Sequence, residues 1–317
     1  MATREPLWIG IDTGKDELVI DDGRRTISVS NTSAAIRQWL KQLPGPARIG
    51  VEATGTYHLQ VLELASEKGH QPYVIDGFRL NRYRDVVGDR AKTDLTDARL
   101  VRRYLRNEFD ELRPWQAPPV AYTRLKSLLR RRAKIVQART ALRQSLAGVP
   151  ELRAVSRGLL EGINGALAQI DRLLKRWVEK AGLQDAVRRL DQIEGIGPLV
   201  AAAFATSYLR GEFRSSDAFV AFLGLDVRVR DSGKRVGQRR LSKKGDGEMR
   251  RLAYIAAMAA SRSGRWKEQH LANQARGLSR IQSLVIIARK LVRLAFALLK
   301  SGEEYRPQLP QGATATT

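Results

Sequence analysis

Four acidic residues stand where carboxylates can do chemistry. Asp12 closes an apolar run in "GIDTG" and Glu52 closes another in "GVEATG". A carboxylate at the end of a buried strand projects at the rim of a sheet instead of lying unpaired in its core. Asp94 and Asp97, in "KTDLTDARL", are three positions apart and share one face of a helix. Four such groups brought together repel one another unless a cation neutralises them. Oxygen-only donors suit Mg²⁺, or Mn²⁺, rather than zinc, and two such ions about 4 Å apart clamp the attacking and leaving oxygens of a phosphodiester. Each acid alone is a weak signal. Asp-x-x-Asp near a helix start is more often a response to the helix dipole than a ligand pair, and Asp16, Asp76 and Asp85 have similar surroundings. Their order, strand-end placement and basic context carry the metal reading.

A hydroxyl stands out at Ser242, in "RRLSKKGDGEMRR", flanked by Arg239, Arg240, Lys243 and Lys244. Those cations favour a nearby phosphate and a developing alkoxide. No histidine is close by in sequence, so a nucleophilic serine here needs a metal or a carboxylate to activate it. On physical grounds alone the plainer reading is preferred: a serine capping a helix that begins near Asp246, or a hydroxyl contacting a phosphate. "IEGIGPLVAAAF" resembles the turn of a helix-hairpin-helix element, in which Gly195 and Gly197 would let backbone amides meet a phosphate oxygen. A glycine-rich turn without ligand is the alternative.

The elements that must position these residues follow a clear order. Residues 6–110 alternate strand and helix signals: a hairpin around Asp22-Gly23, a helix in "NTSAAIRQWLKQL", and further strands in "ARIGVEATG" and "QPYVIDG". A looser basic segment, 78–92, leads to the helix of Asp94 and Asp97. This is a mixed sheet with helices on its faces. "RPWQAPPVAY" reads as a linker. Beyond it, Leu128, Ile135 and Leu142, then Leu160, Ile163, Leu167, Ile170, Leu174 and Trp177, mark a coiled-coil seam, equally compatible with a plain helical hairpin. The boundaries expected are 1–112, a basic helical connector over 113–182, a mainly helical domain over 183–300, and a disordered tail over 301–317.

The chain has 317 residues with 56 Lys and Arg against 33 acids, a formal net charge of +23. That balance attracts polyanions, of which nucleic acid is the commonest. Cysteine is absent, which excludes disulfides and thiol catalysis and fits a reducing cytosol, and three histidines disfavour a multi-histidine metal site. The longest apolar run, "IQSLVIIARKLVRLAFALL", carries Arg289, Lys290 and Arg293 and reads as an amphipathic helix, so no membrane partner is expected.

With these motifs in view, the chain resembles the DEDD-type transposases of the insertion sequence one-ten family, relatives of the Piv-type DNA invertases. The carriers are "GIDTGKDELVI", "GVEATGTYH", "AKTDLTDARLV", "IEGIGPLVAAAF", "FRSSDAFVAFLGLDVRVRDSG" and "RLSKKGDGEMRRLAYIAAMAA", in that order. The stretch between Asp12 and Glu52 is compact, a departure from the family pattern in which an insertion there is short. The resemblance implies an α/β plus α architecture: an RNase H-like (RuvC-like) domain, a coiled-coil connector and a C-terminal transposase domain. It implies that Asp12, Glu52, Asp94 and Asp97 hold Mg²⁺ and that Ser242 attacks DNA to form a covalent intermediate. It further implies a prokaryotic recombinase acting on donor and target DNA, with a cytoplasmic, nucleoid-associated location expected, and a structured noncoding bridge RNA that pairs with both. Because strand exchange needs more than one active site, a dimer that pairs into a tetramer on DNA is expected, with the coiled coil helping. The competing readings are a junction-resolving endonuclease using metal-activated water and a non-catalytic RNA-binding protein.

Overall fold

The computed structural model describes residues 6–88, 94–232, 235–242 and 244–307. The chain divides into two compact units, Met1–Ala117 and Pro118–Thr317.

The first unit is built on a mixed sheet of β1 (Leu7–Thr13), β2 (Glu17–Asp21), β3 (Thr26–Ser30), β4 (Ala47–Glu52) and β5 (Gln71–Ile75). Its order is β3-β2-β1-β4-β5, antiparallel through β3, β2 and β1 and parallel from β1 through β4 to β5. Helices α1 (Ser33–Lys41) and α2 (Leu59–Glu67) send Ile36, Trp39, Leu40, Val61 and Leu62 into a core with Ile9, Ile11 and Ile49. The periodicity of "AAIRQWL" and the Thr32 cap, which accepts from the Ala35 amide, account for α1.

One segment differs from expectation. Part of the looser stretch 78–92 is a helix, α3 (Gly77–Val87), started by Asp76, whose side chain accepts from the Arg79 amide, and stopped by Gly88 in the left-handed region. Only Leu80 of α3 is buried, so the helix carries almost no apolar period to read. Helix α4 (Asp94–Asn107) follows and covers the sheet with Ala98, Val101 and Leu105 fully buried.

The second unit begins with α5 (Val120–Ser145) and α6 (Arg153–Lys180), which form an antiparallel hairpin: Arg132 pairs with Asp171 at 2.6 Å and Arg139 donates to Asn164 at 3.0 Å. Leu167 and Leu174 of the expected seam are buried, as is Val178, and Leu174 and Val178 share a core cluster with Leu125 and Leu129 of their own chain's α5. Helices α7 (Gln184–Asp191), α8 (Pro198–Tyr208), α9 (Ser216–Phe222), α10 (Gly247–Ala260), α11 (Gly264–Ala275) and α12 (Arg280–Ser301) complete it. Between α9 and α10 lies a hairpin absent from the helical expectation, β6 (Val227–Ser232) with β7 (Arg235–Leu241). The arginines that mask its alternation are the reason it reads as irregular.

Part of the tail expected over 301–317 is packed. Tyr305 is 8 % exposed and donates its hydroxyl to Glu194 at 2.6 Å, an acceptor that sequence separation hides. Residues 308–317 lie outside the described residues. No helix among the described residues is long and apolar enough to cross a membrane.

Candidate functional site

The carboxylate site depends on how closely α4 lies on the sheet. Gly10 pairs with Gly50 across β1 and β4, and a Cβ on Gly10 would meet the Ala98 carbonyl oxygen at 2.2 Å and the Arg102 nitrogen at 2.3 Å. Only glycine permits that approach. Trp8 meets Phe109, just past α4, at 5.1 Å between ring centroids, so α4 runs antiparallel to β1 and its first turns lie towards the end of β1 that bears Asp12.

Asp12 and Glu52 follow Ile11 and Val51, which are register partners. They therefore sit side by side on parallel strands, roughly 5 Å apart between strands, and share the face of Gly10 and Gly50 that α4 covers. The Thr13 hydroxyl donates to the Glu52 carbonyl at 3.2 Å and ties the two strand ends together. The Glu52 carboxylate reaches the start of α3, with Oε1 2.6 Å from where a Gly77 Cβ would stand. Helix starts favour negative charge.

Asp97 departs from the expected convergence. It is 7 % exposed and forms an ion pair with Arg84 of α3 at 2.5 Å. A guanidinium supplies the positive charge that a buried carboxylate requires. The side chain of Asp94 lies outside the described residues. Among the described residues no three acidic or histidine side chains are grouped closely enough to hold an ion. Asp12 and Glu52 nevertheless fit Mg²⁺, which is commonly held by one or two carboxylates with waters and substrate phosphates completing its shell.

A further carboxylate, unremarked in the sequence, is Asp21. It is buried at the end of β2, accepts from Arg102 at 2.5 Å and lies 3.6 Å from Arg99. Those arginines, with Arg103 and Arg106, line one groove along α4. The spacing in "RLVRRYLR" is the signal that would have found this basic ridge.

The serine site is made locally. Val227 and Leu241 are the register partners at the open end of the β6–β7 hairpin, so Asp226 and Ser242 flank it directly. The Ser242 amide donates to the Asp226 carbonyl at 3.0 Å, continuing the ladder. The Ser242 hydroxyl donates to Asp226 Oδ1 at 2.5 Å and accepts from the Lys244 amide at 3.1 Å. Sequence reading left a metal or a carboxylate as the activator of Ser242 and named no residue; a hairpin register for "LDVRVR…GQRRLS" would have pointed to Asp226. The helix-cap alternative for Ser242 does not hold, because Asp246 caps α10, accepting from the Glu248 amide at 2.9 Å. Burial pushes the Asp246 carboxyl up, but that amide, Arg130 at 3.0 Å and Lys126 at 3.7 Å outweigh it and hold it below the usual carboxylate range.

Arg240 is exposed and stands directly opposite exposed Arg228 across the hairpin. Like charges so placed are destabilising in isolation; a polyanion relieves them. The backbone of Arg239 lies in β7, while its side chain, and all of Lys243, lie outside the described residues. Lys244 is exposed.

The glycine turn has a packing explanation at one residue and not the other. Gly195 has φ +85° and a Cβ there would stand 2.4 Å from the Ala256 carbonyl oxygen of α10. Gly197 starts α8 in open space, exposed, with Pro198 removing one of the amides a phosphate would use.

Comparison with known proteins gives the geometry its context. A family model of the DEDD type from the IS110 group, described as "Transposase", matches residues 9–149, and a second, described as "Transposase IS116/IS110/IS902 family", matches residues 187–272. A "Probable family 20 transposase" of Pseudomonas aeruginosa is 29% identical over 314 residues, covering 86% of this chain and 90% of that protein. An uncharacterized 44.8 kDa protein of insertion element IS116 from Streptomyces clavuligerus is 23% identical over 99% of this chain and 100% of its own length. The pilin gene-inverting protein of Moraxella bovis is 23% identical over 80% of each chain. Two successive family matches in chain order, the first running from the carboxylate unit on through α5 and the second spanning Ser242, lead to one conclusion: the chain belongs to the IS110/IS116 family of DEDD-type transposases and recombinases.

Proposed function

We propose that the protein is a site-specific DNA recombinase that moves an insertion element, with Ser242 as nucleophile and a magnesium-binding carboxylate site in an RNase H-like (RuvC-like) unit. The observation that carries the reading is the Ser242 hydroxyl, held 2.5 Å from Asp226 with the Lys244 amide at 3.1 Å. Asp226 takes the serine proton as Oγ attacks a DNA phosphorus. An Oγ–P bond forms, one deoxyribose–phosphate ester bond breaks, and the departing oxygen takes a proton from water. Attack by a hydroxyl of a second DNA end reverses these steps, restores Ser242 and exchanges strands. The Lys244 amide, together with Arg240, stabilises negative charge on the phosphate.

Asp12 and Glu52, with Asp94 and with Asp97 once released from Arg84, would hold the magnesium. When bound, the ion supplies charge neutralisation at a DNA phosphate. The strand order, with one carboxylate ending β1 and the next ending adjacent β4, supports the RNase H-like reading. The α4 ridge and the Arg228–Arg240 pair suit backbone gripping without base reading. Sequence choice then falls to a bridge RNA pairing with donor and target DNA. Exchange between two duplexes requires several nucleophiles, hence a dimer that pairs into a tetramer.

The test is trapping. Denaturing gels of protein incubated with labelled junction DNA and Mg²⁺ should show a covalent adduct that Ser242→Ala removes. Cleavage without an adduct, unchanged in Ser242→Ala, replaces the recombinase with a metal-dependent hydrolase. Protein purified at low salt without any discrete RNA removes the guided component.

A further inference from the structure

Beside Ser242 the second unit holds a cavity of about 550 Å³. Its walls come from α5, α8, α9 and the start of α10, and two of its lining residues, Asp226 and Lys244, are the hydrogen-bond partners of the Ser242 hydroxyl. The size lies within the roughly 300–1,000 Å³ of ordinary small-ligand sites. Its lining is divided in character. Phe222, Tyr122, Leu129 and Met249 make an apolar part, whereas Lys126, Arg130 and Lys244 bring cations to the same space. A free inorganic anion has no use for the apolar wall, and an apolar ligand has none for the cations. A nucleotide uses both.

Three details sharpen the match. Phe222 is half-buried, with one edge packed against Phe213 at 5.2 Å between centroids, which fixes its ring. Thr206, only 2 % exposed, lies in the cavity wall with a hydroxyl that has no hydrogen-bond partner. Buried hydroxyls are seldom left so, and an acceptor or donor on a base edge would answer it. The two carboxylates present are already engaged, Asp226 by Ser242 and Asp246 by Arg130, Lys126 and the Glu248 amide. The Arg130 side chain is nevertheless 59% exposed, long enough and free enough to turn from Asp246 to a phosphate.

We propose that this cavity receives one unstacked nucleotide of the DNA substrate, next to the phosphate that Ser242 attacks. Its base lies against Phe222 and its phosphate meets Lys126 and Arg130. This rests on the serine reading above and adds to it a place where DNA chemistry, and preference for a particular base, is decided by the protein. Extruding a base costs least in a strand that is already unpaired. Stacking on an aromatic ring repays that cost without regard to sequence, while Thr206 is placed to discriminate between base edges.

The test uses the full-length protein and a short single-stranded oligodeoxynucleotide carrying one 5-iododeoxyuridine. Long-wavelength irradiation should cross-link that base to a peptide containing Phe222 or Tyr122, identified by mass spectrometry of the wild-type protein, which requires no variant to fold. Phe222→Leu should remove the cross-link and weaken binding about tenfold. Lys126→Gln should weaken binding and lower its salt dependence. Cross-links confined to other peptides, or binding unchanged in Phe222→Leu, overturn the proposal. Ser242→Ala should keep the cross-link and lose the covalent adduct. A protein that cross-links at Phe222 yet never forms an adduct retains the cavity and loses the serine mechanism, so the two failures are distinguishable.

Discussion

Asp12 and Glu52 are held by one logic, Ser242 and Asp226 by another. The two strand-end carboxylates are some 40 residues apart in sequence and meet through parallel pairing, with the Thr13–Glu52 bond spanning 39 positions. Their surroundings depend on a helix laid directly on two glycines. Serine and aspartate, 16 positions apart, flank the open end of one hairpin and are joined by its ladder. The first arrangement is only as good as the packing of a whole sheet. The second survives as long as a single register is kept. A long-range site should be fragile to remote changes in volume, and a local one to single changes in chemistry.

The sharpest way to break that contrast is Gly10→Ala. Its Cβ has nowhere to go, so denaturant titration should show a loss of about 3 kcal/mol, while Gly45→Ala, with nothing within 4 Å, should stay within about 0.5 kcal/mol. Equal effects would mean that α4 does not bear on Gly10. Next in size is Asp226→Asn, which keeps the shape of the hairpin base but removes the proton acceptor. Adduct formation should fall about 100-fold with unchanged melting; an unaltered rate would leave the short Ser242 contact as architecture alone. Arg84→Gln probes the first site's least settled member. Freed from its guanidinium, Asp97 should join the ion's donors, so millimolar Mg²⁺ should raise Tm by a few degrees more in the variant than in the parent. A Mg²⁺ response equal in both removes Asp97 from the donor set.

The smallest effect belongs to Asp246→Asn, since asparagine still caps α10. Asp246 titrates below its ordinary value when folded, so its charge stabilises the protein above the unfolded carboxylate pKa of about 4, and that contribution is lost as pH falls through the lower folded value. The variant should lose less than about 1 kcal/mol at pH 7 and show a shallower decline of stability in acid. An identical acid profile would assign that decline to other carboxylates.

Legibility in the sequence follows the same division. The mixed sheet and the strand-end positions of Asp12 and Glu52 were readable because apolar runs ending in turn residues mark buried strands. The pairing of Asp97 with Arg84 was not, since it joins two helices whose relation depends on Gly10 and on an α3 with one buried residue. Ser242 was found as a hydroxyl among cations, but Asp226 was hidden because arginines occupy the alternation of β6 and β7. Gly195 was visible as a turn residue, whereas its closeness to the α10 backbone came from tertiary packing that no local pattern encodes. The half-buried seam of α5 and α6 was legible as a period, and its partner turned out to lie within the same chain.

The core around the serine site contains Leu225, next to Asp226, and Met249 of α10, and it is completed by Leu284, Ile287, Leu291 and Phe296 of α12 and by Tyr305. The hydrophobic clusters of the carboxylate unit are built, among the described residues, from positions before Ala117. During synthesis, domains fold as they are completed, N-terminal first. The carboxylate unit can therefore be finished while the ribosome has well over a hundred residues still to add, and the serine unit only when α12 and Tyr305 have emerged. A chain interrupted before α12 carries a folded carboxylate unit and a serine without its supporting core, so premature termination leaves one candidate site built and the other unsupported.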